Sequence, residues 1–235
     1  MASDSFFTKL NEALRKIPPV TRYTVLCMTG VTILILCEQL SAGLLYFEPK
    51  LVYKQIQVWR IFTTFLYAGT GFPFLMTVFA FYQYSSSLEN VLFAGKSKAY
   101  LIYLVHLCAA ICLCASIFSN GFYMCNALLL AITYRWSLVF PDRIVQLLFG
   151  IQMQSRYLPY VMLLFSFLSR GPSGLLIDLY GIAAVYASKP LERMYAPQPF
   201  RYSNPARPST SGSTTQSPPS FTQNRFQGRG RKLGN

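Results

Sequence analysis

The chain has 235 residues, of which 53% are hydrophobic, 16% aromatic and only 12% charged, and its mean hydropathy is +0.35. Soluble domains carry about 25% charged residues, so this composition excludes an ordinary soluble protein and indicates a polytopic membrane protein. The formal charge of +13 does not predict a nucleic-acid partner, because the bases flank apolar segments and form no stripe or base-reading motif.

The first predicted element is an amphipathic helix over residues 5–17, which Pro18 and Pro19 end. Its apolar stripe faces away from its charged residues, a pattern typical of helices that lie in a membrane interface. Charged residues precede any apolar run, which excludes a secretory signal. The sequence therefore predicts a cytosolic N-terminal segment, residues 1–19, before the membrane domain.

Six apolar segments predict six transmembrane helices between residues 20 and 188. Their expected bounds are 23–40, 72–85, 99–118, 122–138, 157–169 and 174–187. The mixed segment IVQLLFGIQMQ, residues 144–154, is expected to lie flat in the interface before the fifth. The second and sixth segments offer about 14 residues each, or about 21 Å of helix against a bilayer core of about 30 Å. These lengths predict a locally thinned membrane or a wet cavity.

Lysines and arginines cluster before the first helix, in alternate connections and after the sixth, which predicts that both termini face the cytosol. The stretch KQIQVWRIFTTFLYAGTG, residues 54–71, falls on the opposite side. There Trp59, Phe62 and Leu66 recur at helical spacing beside the polar Gln57 and Arg60. Two interpretations are open: an interfacial aromatic anchor, or a loop that inserts into the bilayer and contacts both lipid and substrate.

The motif GPSG, residues 171–174, resembles the nucleophile of intramembrane serine proteases. Such a serine needs a nearby general base, which in rhomboid proteases is a histidine on a later span. His106 is the one histidine in the chain and it precedes Ser173, so we interpret the motif as a turn with close helix packing. Asp178, with Gln83 and Ser173, is expected to face the bundle interior or a hydrophilic cavity. For Asp178 a structural hydrogen-bonding role is favoured over a proton relay.

The remaining chemistry-bearing residues predict neither an enzyme nor a cofactor. No nucleotide-binding glycine pattern or paired metal-binding carboxylates occur, and no His or carboxylate lies near the cysteines that are closest together. The cysteines are therefore interpreted as small membrane-buried side chains, without a disulfide framework or a metal site. They are Cys27, Cys37, Cys108, Cys112, Cys114 and Cys125.

From Pro190 the composition changes to Pro, Ser, Thr, Gln and Gly, which predicts a disordered cytosolic tail over residues 189–235. The tail ends in an F-x-G-x-G-x-x-L pattern formed by Phe226, Gly228, Gly230 and Leu233. Two apolar anchors separated by glycines suit an extended peptide that pairs with the edge of a partner's sheet. An Arg/Gly-rich low-complexity end is the alternative.

Several stretches in collinear order resemble the Derlin family, rhomboid-like pseudoproteases of the endoplasmic reticulum. They cover nearly all of residues 17–187 and are IPPVTR (17–22), QIQVWR (55–60), LEN (88–90), FAGKSKAY (93–100), LFGIQMQSRYLPYVMLLFSF (148–167) and IDLYGIA (177–183). The sequence departs from the family at AAVY, residues 183–186, where many Derlins carry a Gly-His pair. It also departs at YRWSLVFPD, which is less basic than usual.

The resemblance implies an all-α membrane protein with a rhomboid-like bundle of six helices in the endoplasmic reticulum membrane. It implies a non-catalytic role in moving misfolded proteins to the cytosol, with a RING ubiquitin ligase complex and oligomer formation. Residues 226–233 resemble the SHP box that recruits a hexameric AAA ATPase. Trp59 and Arg60 resemble the Derlin luminal-loop pair, which favours the inserting loop. The alternatives are an active rhomboid-type intramembrane serine protease and a small-solute transporter.

Overall fold

The structure is a computed structural model that describes residues 17–49, 57, 59–118, 123–146 and 152–195. The predicted amphipathic helix up to residue 16 and the predicted SHP box lie outside these ranges. The longer helices are α1 (Pro19–Leu36), α3 (Gly71–Ser87), α4 (Ser97–Phe118), α5 (Cys125–Val139) and α6 (Leu158–Tyr195). The one-turn helix α2 (Arg60–Thr63) precedes α3, and a 3-10 turn, Ala42–Leu45, follows α1.

Helix α6 consists of two helices that meet at Gly171. Gly171 has φ 70° and ψ −164°, a conformation open almost only to glycine. One nitrogen, Nη2 of Arg170, donates to Ser166 Oγ at 2.5 Å and to Asp178 Oδ2 at 2.7 Å. In a straight helix Ser166 and Asp178 would lie about 18 Å apart along the axis, so the chain turns back at Gly171. We call residues 158–170 α6a and residues 172–195 α6b.

The described residues therefore form a bundle of six helical segments, α1, α3, α4, α5, α6a and α6b, which confirms the predicted all-α membrane fold. By length and composition, three helices could cross a membrane: Pro19–Leu36, Ser97–Ile117 and the segment Ser155–Pro190 that contains the turn. Helix α5 is a shorter apolar helix. The turn predicted from GPSG is also present.

The predicted lengths of two spans were wrong. Helix α3, the second predicted span, has 17 residues and continues through a π-helical turn, Leu88–Leu92. Helix α6b, the sixth predicted span, continues past Pro190 to Tyr195. The short members of the bundle are α5, with 15 residues, and α6a, which ends at Arg170. Helix α6b therefore continues past residue 189, where the composition change placed the start of the predicted tail.

The segment predicted to lie flat before the fifth helix is a β-hairpin. Strand β1 (Ile144–Gln146) pairs antiparallel with β2 (Gln152–Gln154), and Val145 faces Met153. Side chains alternate across a strand, so Val145 is buried while its neighbours are exposed. Residues 147–151 lie outside the described residues.

Helix α5 is the central helix of the bundle, and most of its side chains are buried against α3, α4 and α6. It runs parallel to α6b, because Gly181 contacts Ala127 and, further along both helices, Tyr186 contacts Tyr134. A Cβ on Gly181 would overlap the carbonyl oxygen of Ala127. The glycine is thus required for the closest approach of the two helices.

A buried carboxylate joins α1, α3 and α4. Glu89, in the π-helical turn, is fully buried and accepts hydrogen bonds from Val20 N at 3.2 Å, Thr21 N at 3.0 Å and Thr21 Oγ1 at 2.9 Å. Helix α1 follows Pro18, which has no capping side chain, so the distant carboxylate caps it. Thr21 Oγ1 also contacts Ser85 Oγ, which contacts Tyr100 OH at 2.6 Å.

The alternating helices give the bundle two ends. The loop end holds the described residues of the ranges 37–49, 57 and 59–70, the start of α5 and the Gly171 turn. The hairpin end holds the start of α1, the Glu89 turn, strands β1 and β2, and the end of α6b.

Candidate functional site

The described residues of the loop between α1 and α3 are organised around Arg60. Its Nη1 donates to the carbonyl oxygens of Gly43 at 3.0 Å and Tyr46 at 2.7 Å, and its Nε donates to Gln57 Oε1. Arg60 is only 6% exposed. Charge-assisted bonds to the loop's own carbonyls satisfy this buried guanidinium and join the first part of the loop to α2.

The predicted pair Trp59 and Arg60 is thus divided between two environments. The indole of Trp59 is on the outside, 55% exposed, and Phe62 stands beside it one turn later at 57%. We call Trp59 and Phe62 the aromatic edge. Leu66, expected on the same face, is instead partly buried against the core. Arg60 faces the loop interior, where its hydrogen bonds to the loop carbonyls hold the backbone that carries the aromatic edge.

The loop is fixed to the bundle where α5 begins. The ring of Tyr123 lies 5.4 Å from that of Tyr46 and 4.7 Å from that of Tyr67, and its hydroxyl donates to the carbonyl oxygen of Ala42 at 3.1 Å. Met124 N donates to Thr64 O at 3.3 Å. These contacts set the position of the aromatic edge relative to the helices.

An ion pair between a buried carboxylate and a partly exposed arginine lies at the same end of the bundle. Asp178 is 4% exposed and pairs with Arg170, which also binds Ser166. These bonds join α6a to α6b across Gly171. This arrangement supports the structural role expected for Asp178.

The three residues predicted to line one polar cavity have different environments. Asp178 is buried in the ion pair, whereas Ser173 and Gln83 are exposed, Ser173 beside the turn and Gln83 on α3. His106 lies in α4, partly buried. All six cysteines are free thiols, and the described part of the chain holds no group of three or more His, Cys, Asp or Glu suited to a metal ion.

The comparisons with known proteins agree with this architecture. Residues 17–204 match the Der1-like family. The chain belongs to this family. A derlin-like protein of Schizosaccharomyces pombe is 41% identical over 234 residues, covering 100% of both chains. Derlin-1 of Caenorhabditis elegans is 31% identical over 185 residues, 76% of this chain and 73% of its own. Derlin-1 of Homo sapiens is 29% identical over 166 residues, 69% of this chain and 66% of its own.

The two sequence departures from other Derlins fall in the core and on the surface of the bundle. Within AAVY, Ala184 and Val185 are fully buried, so the close packing expected of a glycine is taken over by small and branched side chains. Tyr186 is exposed and hydrogen-bonds to Tyr134.

Sequence reasoning missed Tyr123 and Glu89 as supporting residues. Tyr123 stands next to a short turn and resembles an ordinary interfacial tyrosine. Glu89 is part of the LEN motif, but its binding partners lie 68 and 69 positions away in the chain.

Proposed function

We propose that this Derlin is a non-catalytic component of endoplasmic-reticulum-associated degradation that helps misfolded luminal or membrane proteins reach the cytosol. Family membership supports the pathway. The observation that carries the mechanism is the pair of buried hydrogen bonds from Arg60 to the carbonyl oxygens of Gly43 and Tyr46. These bonds hold the loop so that Trp59 and Phe62 are exposed at one end of the bundle. This aromatic edge would insert into the luminal leaflet, where indole rings reside at the headgroup boundary.

The short helices beside this edge support local thinning of the bilayer. The 15 residues of α5 span about 22 Å, against a hydrocarbon core of about 30 Å. Helix α6a is shorter still. Lipid around a short hydrophobic segment thins, which would lower the barrier to polar client segments.

The loop mechanism is tested by client turnover in cells in which Trp59→Ala/Phe62→Ala replaces the original chain. We expect slower clearance of a misfolded luminal reporter, with unchanged thermal stability in detergent. Arg60→Ala should slow clearance and also lower the melting temperature, because it removes the hydrogen bonds to the carbonyl oxygens of Gly43 and Tyr46. Phe72→Ala is the matched control, an equally exposed phenylalanine at the start of α3. Normal clearance in the Trp59/Phe62 variant would show that the loop is only an interfacial anchor and takes no part in client removal.

The tail would supply the pulling force by recruiting a AAA ATPase through Phe226, Gly228, Gly230 and Leu233. We expect Phe226→Ala/Leu233→Ala to abolish co-purification of the ATPase from native membranes. Phe221→Ala, outside the motif, should leave recovery unchanged. Equal recovery from the original chain and both variants would refute recruitment by this motif.

The same purification addresses the remaining partners. It should yield a RING ubiquitin ligase, ubiquitinated clients and further copies of this chain, from an endoplasmic reticulum membrane with both termini cytosolic. Trp59→Ala/Arg60→Ala should retain the ATPase while losing client clearance.

Protease activity is the competing function. Ser173 is exposed, but the chain's one histidine, His106, lies in α4, before the serine rather than after it. Labelling by a serine-directed fluorophosphonate should therefore be absent. Labelling that disappears in Ser173→Ala would establish a nucleophile and overturn the non-catalytic proposal.

A further inference from the structure

A polar cluster on the outer surface of α5 and α6b lies apart from the loop. The hydroxyls of Tyr134 and Tyr186 are 2.6 Å apart, and Lys189 Nζ lies 4.0 Å from the centroid of the Tyr186 ring. Tyr186 is 52% exposed, and Lys189 is exposed as well. We call Tyr134, Tyr186 and Lys189 the phenol–lysine cluster.

The position of this cluster along the helix places it near the edge of the hydrocarbon core. Lys189 follows the Gly171 turn by about 27 Å of helix, and a bilayer core is about 30 Å thick. Tyr186 lies one turn nearer the centre. The ammonium thus reaches the level of lipid phosphates at the hairpin end, while the phenols lie just inside it.

The cluster presents hydrogen-bond donors and a positive charge. Only one proton lies between the two phenol oxygens, so the O–H of the accepting tyrosine is available to another acceptor. The ammonium of Lys189 has the ring of Tyr186 below it. The ammonium lies over the ring face and the hydroxyl at the ring edge, and both are donors suited to the oxygens of one phosphate group.

We propose that the phenol–lysine cluster binds the phosphate of an anionic phospholipid in the leaflet at the hairpin end, which the charge distribution predicts to be cytosolic. The bound headgroup bridges α5 and α6b, because Tyr134 belongs to one helix and Tyr186 and Lys189 to the other.

The test uses the full-length chain in phosphatidylcholine nanodiscs that contain increasing amounts of phosphatidylinositol, with bound lipid counted by native mass spectrometry. Lys189→Ala should weaken the apparent affinity about fivefold, the effect of one basic residue near a membrane surface. Tyr186→Phe should weaken it about threefold through the loss of a hydrogen bond. Lys189→Arg should retain binding. Melting temperatures in pure phosphatidylcholine show whether each variant is folded.

The control variant Lys96→Ala/Lys98→Ala removes two bases where α4 begins, also at the hairpin end. Unchanged affinity in this control, with loss in the cluster variants, supports a specific site. Equal weakening in all variants would show diffuse electrostatic attraction and overturn the proposal, as would no weakening at Lys189. If glycerol 3-phosphate displaces the lipid at equal concentration, the occupant is a soluble phosphate and the lipid assignment fails.

Discussion

Replacement of Glu89 tests the contact network that joins three helices. Glu89→Ala leaves two backbone N–H groups and the Thr21 hydroxyl without their acceptor in a fully buried site. A buried donor that loses its acceptor costs about 1–3 kcal/mol, so the loss across these three donors amounts to several kcal/mol. The capping interaction with the start of α1 is lost with it. For a chain of this length the melting temperature in detergent should fall by roughly 10 °C.

Two further variants separate the charge from the shape of Glu89. Glu89→Gln keeps the volume but replaces one acceptor oxygen by a donor, so we expect a smaller loss of stability. Thr21→Val should be destabilising in the original chain and nearly neutral when combined with Glu89→Ala, because both residues act through one network. Asp142→Asn is the control, since its ion pair with Arg156 is exposed and surface pairs contribute at most about 1 kcal/mol.

The measurement is thermal unfolding in one detergent, followed by intrinsic fluorescence. If Glu89→Ala melts within about 2 °C of the original chain, or if the effects of Thr21→Val and Glu89→Ala add fully, the network does not hold α1 in place.

Two other predictions concern helix packing and are checked by the same unfolding assay. Gly181→Ala should destabilise by about 1–3 kcal/mol, because the new methyl group overlaps the carbonyl of Ala127. Gly30→Ala, where an added Cβ has no atom within 4 Å, should stabilise slightly through helix propensity, and equal effects at both glycines would contradict the packing argument. Arg170→Met should destabilise by about 3 kcal/mol by leaving Asp178 unpaired, and combining it with Asp178→Leu should restore much of the loss. No recovery in the double variant would show that the ion pair is not the cause.

The helices were predictable because long apolar runs and the glycines of GPSG are local signals. The hairpin was not, since IVQLLFGIQMQ is a short apolar run for which periodicity cannot separate strand from helix. The extent of α6b was missed because the apolar run ends near residue 187 and the composition changes from Pro190, although the helix continues to Tyr195.

The environment of the candidate site was only partly predictable for a different reason. The spacing of Trp59 and Phe62 correctly placed them on one face. The acceptors of Arg60, however, are backbone carbonyls 14 and 17 residues earlier, in a part of the loop whose composition carries no sign of them. Backbone carbonyls are present at every residue, so only the folded loop shows which ones converge on the guanidinium.

The ion pair at the Gly171 turn has a consequence for biogenesis. In the predicted orientation, with the hairpin end cytosolic, inserting α6a and α6b requires Arg170 to cross the bilayer, at a cost of about 2.5–3.5 kcal/mol for an arginine at the centre of a helix. Its partners, Ser166 and Asp178, both belong to the same helical hairpin. This hairpin can therefore cross with its charge already neutralised, before any contact with α5 forms. Among the described helices, α6a and α6b thus form an insertion unit that needs no counter-ion from α1, α3, α4 or α5.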